Sequence, residues 1–154
     1  MNIQQLIDEF LKQKRFALVG VSRFSDDLSR TIFKEFTRRG YDVVPVNPHA
    51  LEIEGKRCVA QVQDITPPVT AALLMTSKEM ADRVLLDCFK AGITLVWVFG
   101  IAGPQDISPH AQTICEKHGI ALIPGYCPYM FIPDAGFFHR AHGWASKLTG
   151  AYPK

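Results

Sequence analysis

Phe16-Ala17-Leu18-Val19-Gly20-Val21-Ser22 decides how this chain folds. A short apolar run ends in a glycine, and helical periodicity follows from about Leu28. A strand, a tight turn and a helix start are the parts of a nucleotide site. Glycine lets the backbone turn sharply and approach a ligand closely. The free N–H groups of a helix start, reinforced by the helix dipole, favour a phosphate. Ser22 stands where the dinucleotide fingerprint G-x-G-x-x-G has its second glycine, and no third glycine follows. A hydroxyl there can donate to a phosphate oxygen, but its side chain limits how closely a pyrophosphate approaches. Ser29, Arg30 and Arg23 offer a further hydroxyl and two charges, and an arginine fork can hold phosphate through two hydrogen bonds. Asp26 and Asp27 read as caps on backbone N–H groups.

Working outward, Ile3, Leu6, Ile7, Phe10 and Leu11 form the stripe of an amphipathic N-terminal helix that packs on the sheet. Leu28, Ile32 and Phe36 recur at four-residue spacing and Gly40 stops that helix. Tyr41 to Val46 is a second strand. Glu54-Gly55-Lys56 is a turn leading to a short strand near Arg57 to Val59, and Thr66-Pro67-Pro68 is a surface loop. Thr70 to Thr76 is an apolar strand. Thr76 and Glu79 have capping-box spacing, opening a helix that turns Met80, Val84, Leu85 and Cys88 inward and ends at Gly92. Thr94 to Phe99 is a strand. Ser108-Pro109 supplies an N-cap and a first-turn proline for a helix ending at Gly119, and Ile120 to Ile123 is the last strand.

These strands are continuous apolar runs, which implies burial on both faces. Strands and helices alternate with short connections. The expected fold is therefore α/β: a Rossmann-like, doubly wound, mostly parallel sheet with helices on both faces. Right-handed crossovers put every strand's C-terminal end on one edge, where such sheets bind ligands. The candidate contacts follow the strands: Gly20 to Arg23, Asn47-Pro48, Thr76-Ser77, Gly100 to Gly103 and Pro124 to Pro128.

The 154 residues suit a single domain, with a core over 15–128, an N-terminal helix over 1–14 and an aromatic tail over 129–154. A net charge of +2 is too small, and too evenly spread, to imply nucleic acid. No apolar run approaches the roughly 20 residues needed to span a membrane. The N-terminus has no signal-peptide pattern, so a cytoplasmic location is expected. Cys58, Cys88, Cys115 and Cys127 form no C-x-x-C pair and are read as reduced thiols.

An NAD site usually places Asp or Glu at the tip of the second strand. Here Val46-Asn47-Pro48-His49 carries no carboxylate, and Glu52 comes several positions later. That disfavours NAD and points to a different adenine nucleotide. The tail is dense in aromatics, with Phe137 to Leu148 read as a short helix. It either folds back on its own sheet or contacts a second copy of the chain. His139 and His142, with Cys127, make a weak metal pattern, and the histidines are read as solvated or core residues.

At these residues the chain resembles the small stand-alone CoA-binding proteins, whose domain is similar to the CoA-binding domain of the succinyl-CoA synthetase alpha subunit. Val19-Gly20-Val21-Ser22 matches the family's V-G-x-S loop, and Gly40 to Pro48 its G-Y-x-V-x-P-V-N-P segment. Glu54 to Cys58, Ala91-Gly92-Ile93 with Val96-Trp97, and Cys127-Pro128 resemble its later motifs, so that the resemblance covers residues 15 to 128. It implies that Gly20, Val21, Ser22 and Arg23 face the CoA diphosphate and that Val46, Asn47 and Pro48 line the adenosine pocket. Met75, Thr76 and Ser77 would bracket the adenine and pantetheine path, with Gly100 and Ile101 near the pantetheine arm. One departure is Phe99, which stands where the family has glutamine in W-x-Q-x-G.

The synthetases use a histidine from outside this domain, and no matching second domain is read in this chain. The expected function is binding of coenzyme A or an acyl-CoA without catalysis. Two alternatives stay open: an NAD(P)-linked oxidoreductase using the same sheet edge, and an interaction module docking through the tail. Cys127 is either a buried residue closing the domain or a thiol near the ligand.

Overall fold

The computed structural model describes residues 1–133. Five parallel strands form the sheet: β1 (Arg15–Val19), β2 (Asp42–Val46), β5 (Ala71–Leu74), β6 (Leu95–Phe99) and β7 (Ala121–Tyr126). Their spatial order is β2-β1-β5-β6-β7. A two-stranded hairpin, β3 (Glu52–Ile53) and β4 (Lys56–Arg57), lies outside it. The helices are α1 (Ile3–Lys12), α2 (Leu28–Arg38), α3 (Lys78–Lys90) and α4 (Ala111–His118). The chain moves one way from β1 to β2 and the other way from β5 to β7. Right-handed crossovers in opposite directions put their helices on opposite faces. This is the doubly wound α/β fold expected from the apolar strand runs.

The strands distribute their side chains between two cores at a period of two. Phe16, Leu18, Leu73, Trp97 and Ile123 face α1 and α2, joining Ile7, Phe10, Ile32, Phe33 and Phe36. Ala17, Val19, Leu74, Val96 and Val98 face α3 and α4, joining Val84, Leu85, Cys88, Ala111 and Cys115. The first core is aromatic. Phe16 meets Phe10 at 4.9 Å, Phe36 at 5.0 Å and Tyr41 at 5.8 Å between ring centroids. Phe10 meets Trp97 edge-on at 5.3 Å, which fastens α1 to the middle of the sheet. Such pairs add about 0.5–1.5 kcal/mol each beyond their area burial.

Edge strand β2 is protected along its outer side. Asn47 N–H donates to the Val59 carbonyl and Val59 N–H to the Pro45 carbonyl. Lys56 Nζ donates to the Val43 carbonyl and to Asp42. Pro45 stands where its missing N–H faces outward, a position where proline costs no ladder bond.

Several boundaries differ from the sequence expectation. Ser77, not Thr76, is the N-cap of α3 and accepts from Met80 N–H at 3.3 Å. Thr76 instead lays its methyl over Gly20 at the end of β5. The start of the helix therefore slips by one, and Met80 turns out towards solvent while Ala81 is buried. Leu28 is likewise exposed, because Ile32, Phe33 and Phe36 carry the inward face of α2. Ser108 does not cap α4. Its hydroxyl donates to Asp82 and accepts from His110 N–H within a turn, and the helix starts at Ala111. Strand β3 was not legible as a strand, being only two residues long.

The segment expected to be a loop from Gly125 onward continues β7 to Tyr126, followed by a single 3-10 turn at Pro128–Met130. Tyr126, Cys127, Tyr129 and Ile132 are buried in the first core, and Phe131 meets the Trp97 ring at 5.8 Å. Up to residue 133 the tail folds back on its own sheet. The helix expected over Phe137 to Leu148, with His139 and His142, lies outside the described residues. Tyr129→Ala should lower the unfolding free energy by about 2–4 kcal/mol in urea denaturation, because it removes a ring from a closed core. A loss below about 0.5 kcal/mol would mean that the tail is not part of that core.

Candidate functional site

The strand order reverses between β1 and β5, and there Gly20 ends β1. Its N–H donates to the Val46 carbonyl of β2, and Met75 N–H donates to the Val19 carbonyl. Gly20 has φ +89, and a Cβ placed on it would lie 2.7 Å from the Met75 carbonyl oxygen. Both the left-handed backbone and this close approach demand glycine.

The loop after Gly20 is held from within. Asp27 caps α2 by accepting from Ser29 N–H at 2.9 Å and from the Ser29 hydroxyl at 2.6 Å. The same hydroxyl accepts from Ser22 N–H at 2.8 Å. Ser22 Oγ accepts from Phe24 N–H at 3.0 Å. Arg30 donates to the Ser22 and Arg23 carbonyls at 3.3 and 3.2 Å and to Glu54 at 2.5 Å. That hydrogen bond from Arg30 is the main reason the Glu54 carboxyl sits below the usual carboxylate range. Ser29 and Arg30 therefore serve as struts: the Ser29 hydroxyl and both terminal nitrogens of Arg30 are engaged inside the protein, while Arg30 Nε is buried without a hydrogen-bond partner among the described residues. Arg23 is exposed, its guanidinium 5.2 Å from the Phe24 ring.

Asn47 ties the two strand tips together. Its side-chain amide donates to the Val21 carbonyl at 2.9 Å, and its side-chain oxygen accepts from His49 N–H at 2.7 Å. A neutral side chain that both donates and accepts suits this bridge; a carboxylate could only accept.

A cleft of about 570 Å³ opens beside these tips. Of the residues expected from the sequence, it brings together Gly20, Val46, Asn47, Pro48, Met75, Thr76 and Ser77. It does not include Val21, Ser22, Arg23, Ser29, Arg30, Gly100 or Ile101. The loop after β6 is occupied with its own packing: Asp106 accepts from Ala102 and Ile101 N–H, both at 2.7 Å, and these bonds hold its carboxyl low. A Cβ on Gly100 would meet Gly125 Cα at 2.6 Å, and Ile101 points to solvent. Sequence reasoning missed the far wall of the cleft, made by Ala60, Gln61 and Val62 and by Met80, Arg83, Val84 and Asp87 of α3. The helical spacing of Met80, Arg83, Val84 and Asp87 is a readable signal for one shared face. Nothing in residues 60–62 announces a ligand wall.

Thr76 Oγ1 is buried in the cleft wall with no hydrogen-bond partner among the described residues. Cys127 is buried in the opposite core, and desolvation pushes its thiol up, which disfavours the reactive thiolate. No group of three His, Cys, Asp or Glu among the described residues is placed to hold a metal. A second cavity of about 670 Å³ flanks edge strand β2, away from the strand tips. Its Arg15 and Lys56 are both paired with Asp42.

Residues 14–133 match the CoA binding domain family. The chain belongs to that family. It is 25% identical over 129 residues to the alpha subunit of an ADP-forming acetate–CoA ligase II of Pyrococcus furiosus, covering 79% of this chain and 28% of the ligase subunit. It is 23% identical over 118 residues to an ADP-forming acetate–CoA ligase of Methanocaldococcus jannaschii, covering 74% of this chain and 17% of that enzyme. The chain thus spans less than a third of the length of these curated relatives. A solved structure of a hypothetical protein from Pyrococcus horikoshii OT3 superimposes with TM-score 0.73 at 23% identity, covering 83% of this chain and 87% of the other. That protein shares the fold at nearly the same size. Among the described residues no helix is long and apolar enough to cross a membrane.

Two substitutions test how the tip is built. Gly20→Ala should cost about 2–4 kcal/mol in denaturant unfolding, from the positive φ and the overlap with Met75. Ser29→Ala should cost about 1–3 kcal/mol, because it leaves the Ser22 N–H without its acceptor. Wild-type stability in either variant would overturn this account of the loop.

Proposed function

We propose that this protein binds coenzyme A or an acyl-CoA in the cleft at the C-terminal edge of its sheet, as a carrier or sensor rather than a catalyst. The observation that carries the reading is the position of the cleft. It opens at the point where strand order reverses, over a glycine whose backbone packs directly on the neighbouring strand. Membership of the CoA binding domain family supports the choice of nucleotide. The neutral Asn47-Pro48 tip supports it further, since a ribose-binding carboxylate is missing where NAD sites usually have one. The apolar lining from Val19, Val46, Val62, Met75 and Val84 suits an adenine ring or a pantetheine chain.

The binding-only part of the reading rests on the side chains present. The titratable groups lining the cleft are His49, Arg83 and Asp87, and the Ser77 hydroxyl is engaged in capping α3. The matching ligases are more than three times longer than the matched segment.

Thermal melting with CoA, acetyl-CoA, NAD, NADP and ATP in parallel tests the reading. At a hundredfold excess over its dissociation constant, a ligand adds about 2.7 kcal/mol. For a chain of this size that is a rise of about 5–10 °C in Tm. The expected result is such a shift with CoA and acetyl-CoA and a smaller one or none with NAD. A shift with NAD or NADP and none with CoA would turn the reading to an oxidoreductase.

A further inference from the structure

The face of α3 that closes the cleft is built from Met80, Arg83, Val84 and Asp87, spanning about 10 Å along the helix. Arg83 is the lysine-or-arginine side chain on that lining. Among the described residues its guanidinium meets no hydrogen-bond acceptor or ion-pair partner. Its situation differs from that of Arg15, Arg30, Arg38 and Arg39, each of which is held by a carboxylate. Asp87 sits one turn further along the helix and accepts from the Gln63 side-chain amide at 3.1 Å. An unpaired fork of donors therefore borders an otherwise mainly apolar slot. An apolar slot suits a flat base, and a guanidinium at its border suits a phosphate carried on that base's ribose, which it can hold through two hydrogen bonds.

We infer that Arg83 recognises a phosphomonoester on the ribose of the bound nucleotide. The inference rests on the CoA reading above, in which that group is the 3′-phosphate. It also says what sets the selectivity of the cleft: nucleotides with a ribose phosphomonoester are preferred over those without one. The same group occurs as the 2′-phosphate of NADP, so the test separates the two sources.

Calorimetric titration of wild type and Arg83→Met with CoA, 3′-dephospho-CoA, NADP and NAD reads the effect directly. Arg83 is exposed, so Arg83→Met should fold, and its melting curve without ligand checks this. Wild type should bind CoA about tenfold tighter than dephospho-CoA, the scale of a charged hydrogen bond at a solvated site. Arg83→Met should lose that factor for CoA while leaving dephospho-CoA within about twofold. Equal losses for the two ligands, no loss for either, or a wild type that does not tell them apart would each overturn the role of Arg83. Binding of NADP above NAD, with no CoA binding and with the gap closed in Arg83→Met, would keep that role and overturn the CoA reading. Failure of all four ligands to bind would overturn both.

Discussion

Everything at the cleft edge of the sheet depends on one close approach, that of Gly20 to the carbonyl of Met75. Strand β1 is the only strand here that pairs with β2 on one side and β5 on the other. Its end must therefore fit between two backbones at once. A Cβ would overlap the Met75 carbonyl, and the left-handed φ rules out most side chains even without that overlap. Because Gly20 lets the chain turn there, the tips of β1, β2 and β5 end close together. The gap between them and α3 becomes a cleft rather than a packed junction.

The polar groups near Gly20 divide into two kinds. Ser22, Ser29, Asp27, Arg30 and Asn47 hydrogen-bond to each other and to the loop backbone, and so fix its shape. Among the described residues Arg83 meets no acceptor for its donors. A loop held in shape by its own hydrogen bonds can present backbone to a ligand without rearranging, which lowers the ordering cost of binding. The cation proposed to discriminate among ligands comes from another element, α3, across the cleft.

The glycines after β6 and near the end of β7 show the same economy without a cleft. Gly100, Gly103 and Gly125 pack backbone on backbone, with Gly103 N–H donating to the Gly125 carbonyl. Trp97 Nε1–H donates to the Tyr126 carbonyl at 2.8 Å within the buried core. The aromatic residues that follow β7 close over Trp97, so this end of the sheet is sealed by its own chain. Among the described residues, that leaves the β1–β5 side as the open part of the edge.

The parallel sheet, its helices and the glycine turn were legible in the sequence because they depend on local patterns: apolar runs, four-residue spacing, and glycine at a strand end. Val46-Asn47-Pro48 was legible as a tip without a carboxylate for the same reason. Which polar residues face the cleft was not legible, because that depends on partners distant in sequence. Arg30 looked like a phosphate ligand until Glu54, 24 residues away, was seen to hold it. Arg83 carries no signal of its own in the sequence, and only the fold brings its face of α3 beside Asn47 and Gln61. The slip of the α3 cap from Thr76 to Ser77 has a similar cause, since the Thr76 methyl is claimed by Gly20. The sequence by itself determined the layers and the edge where the strand tips gather, since hydrophobic period and strand–helix alternation are short-range properties. Only the tertiary structure decided which side chains are engaged and which stay free, since hydrogen-bond pairing is settled by proximity in space.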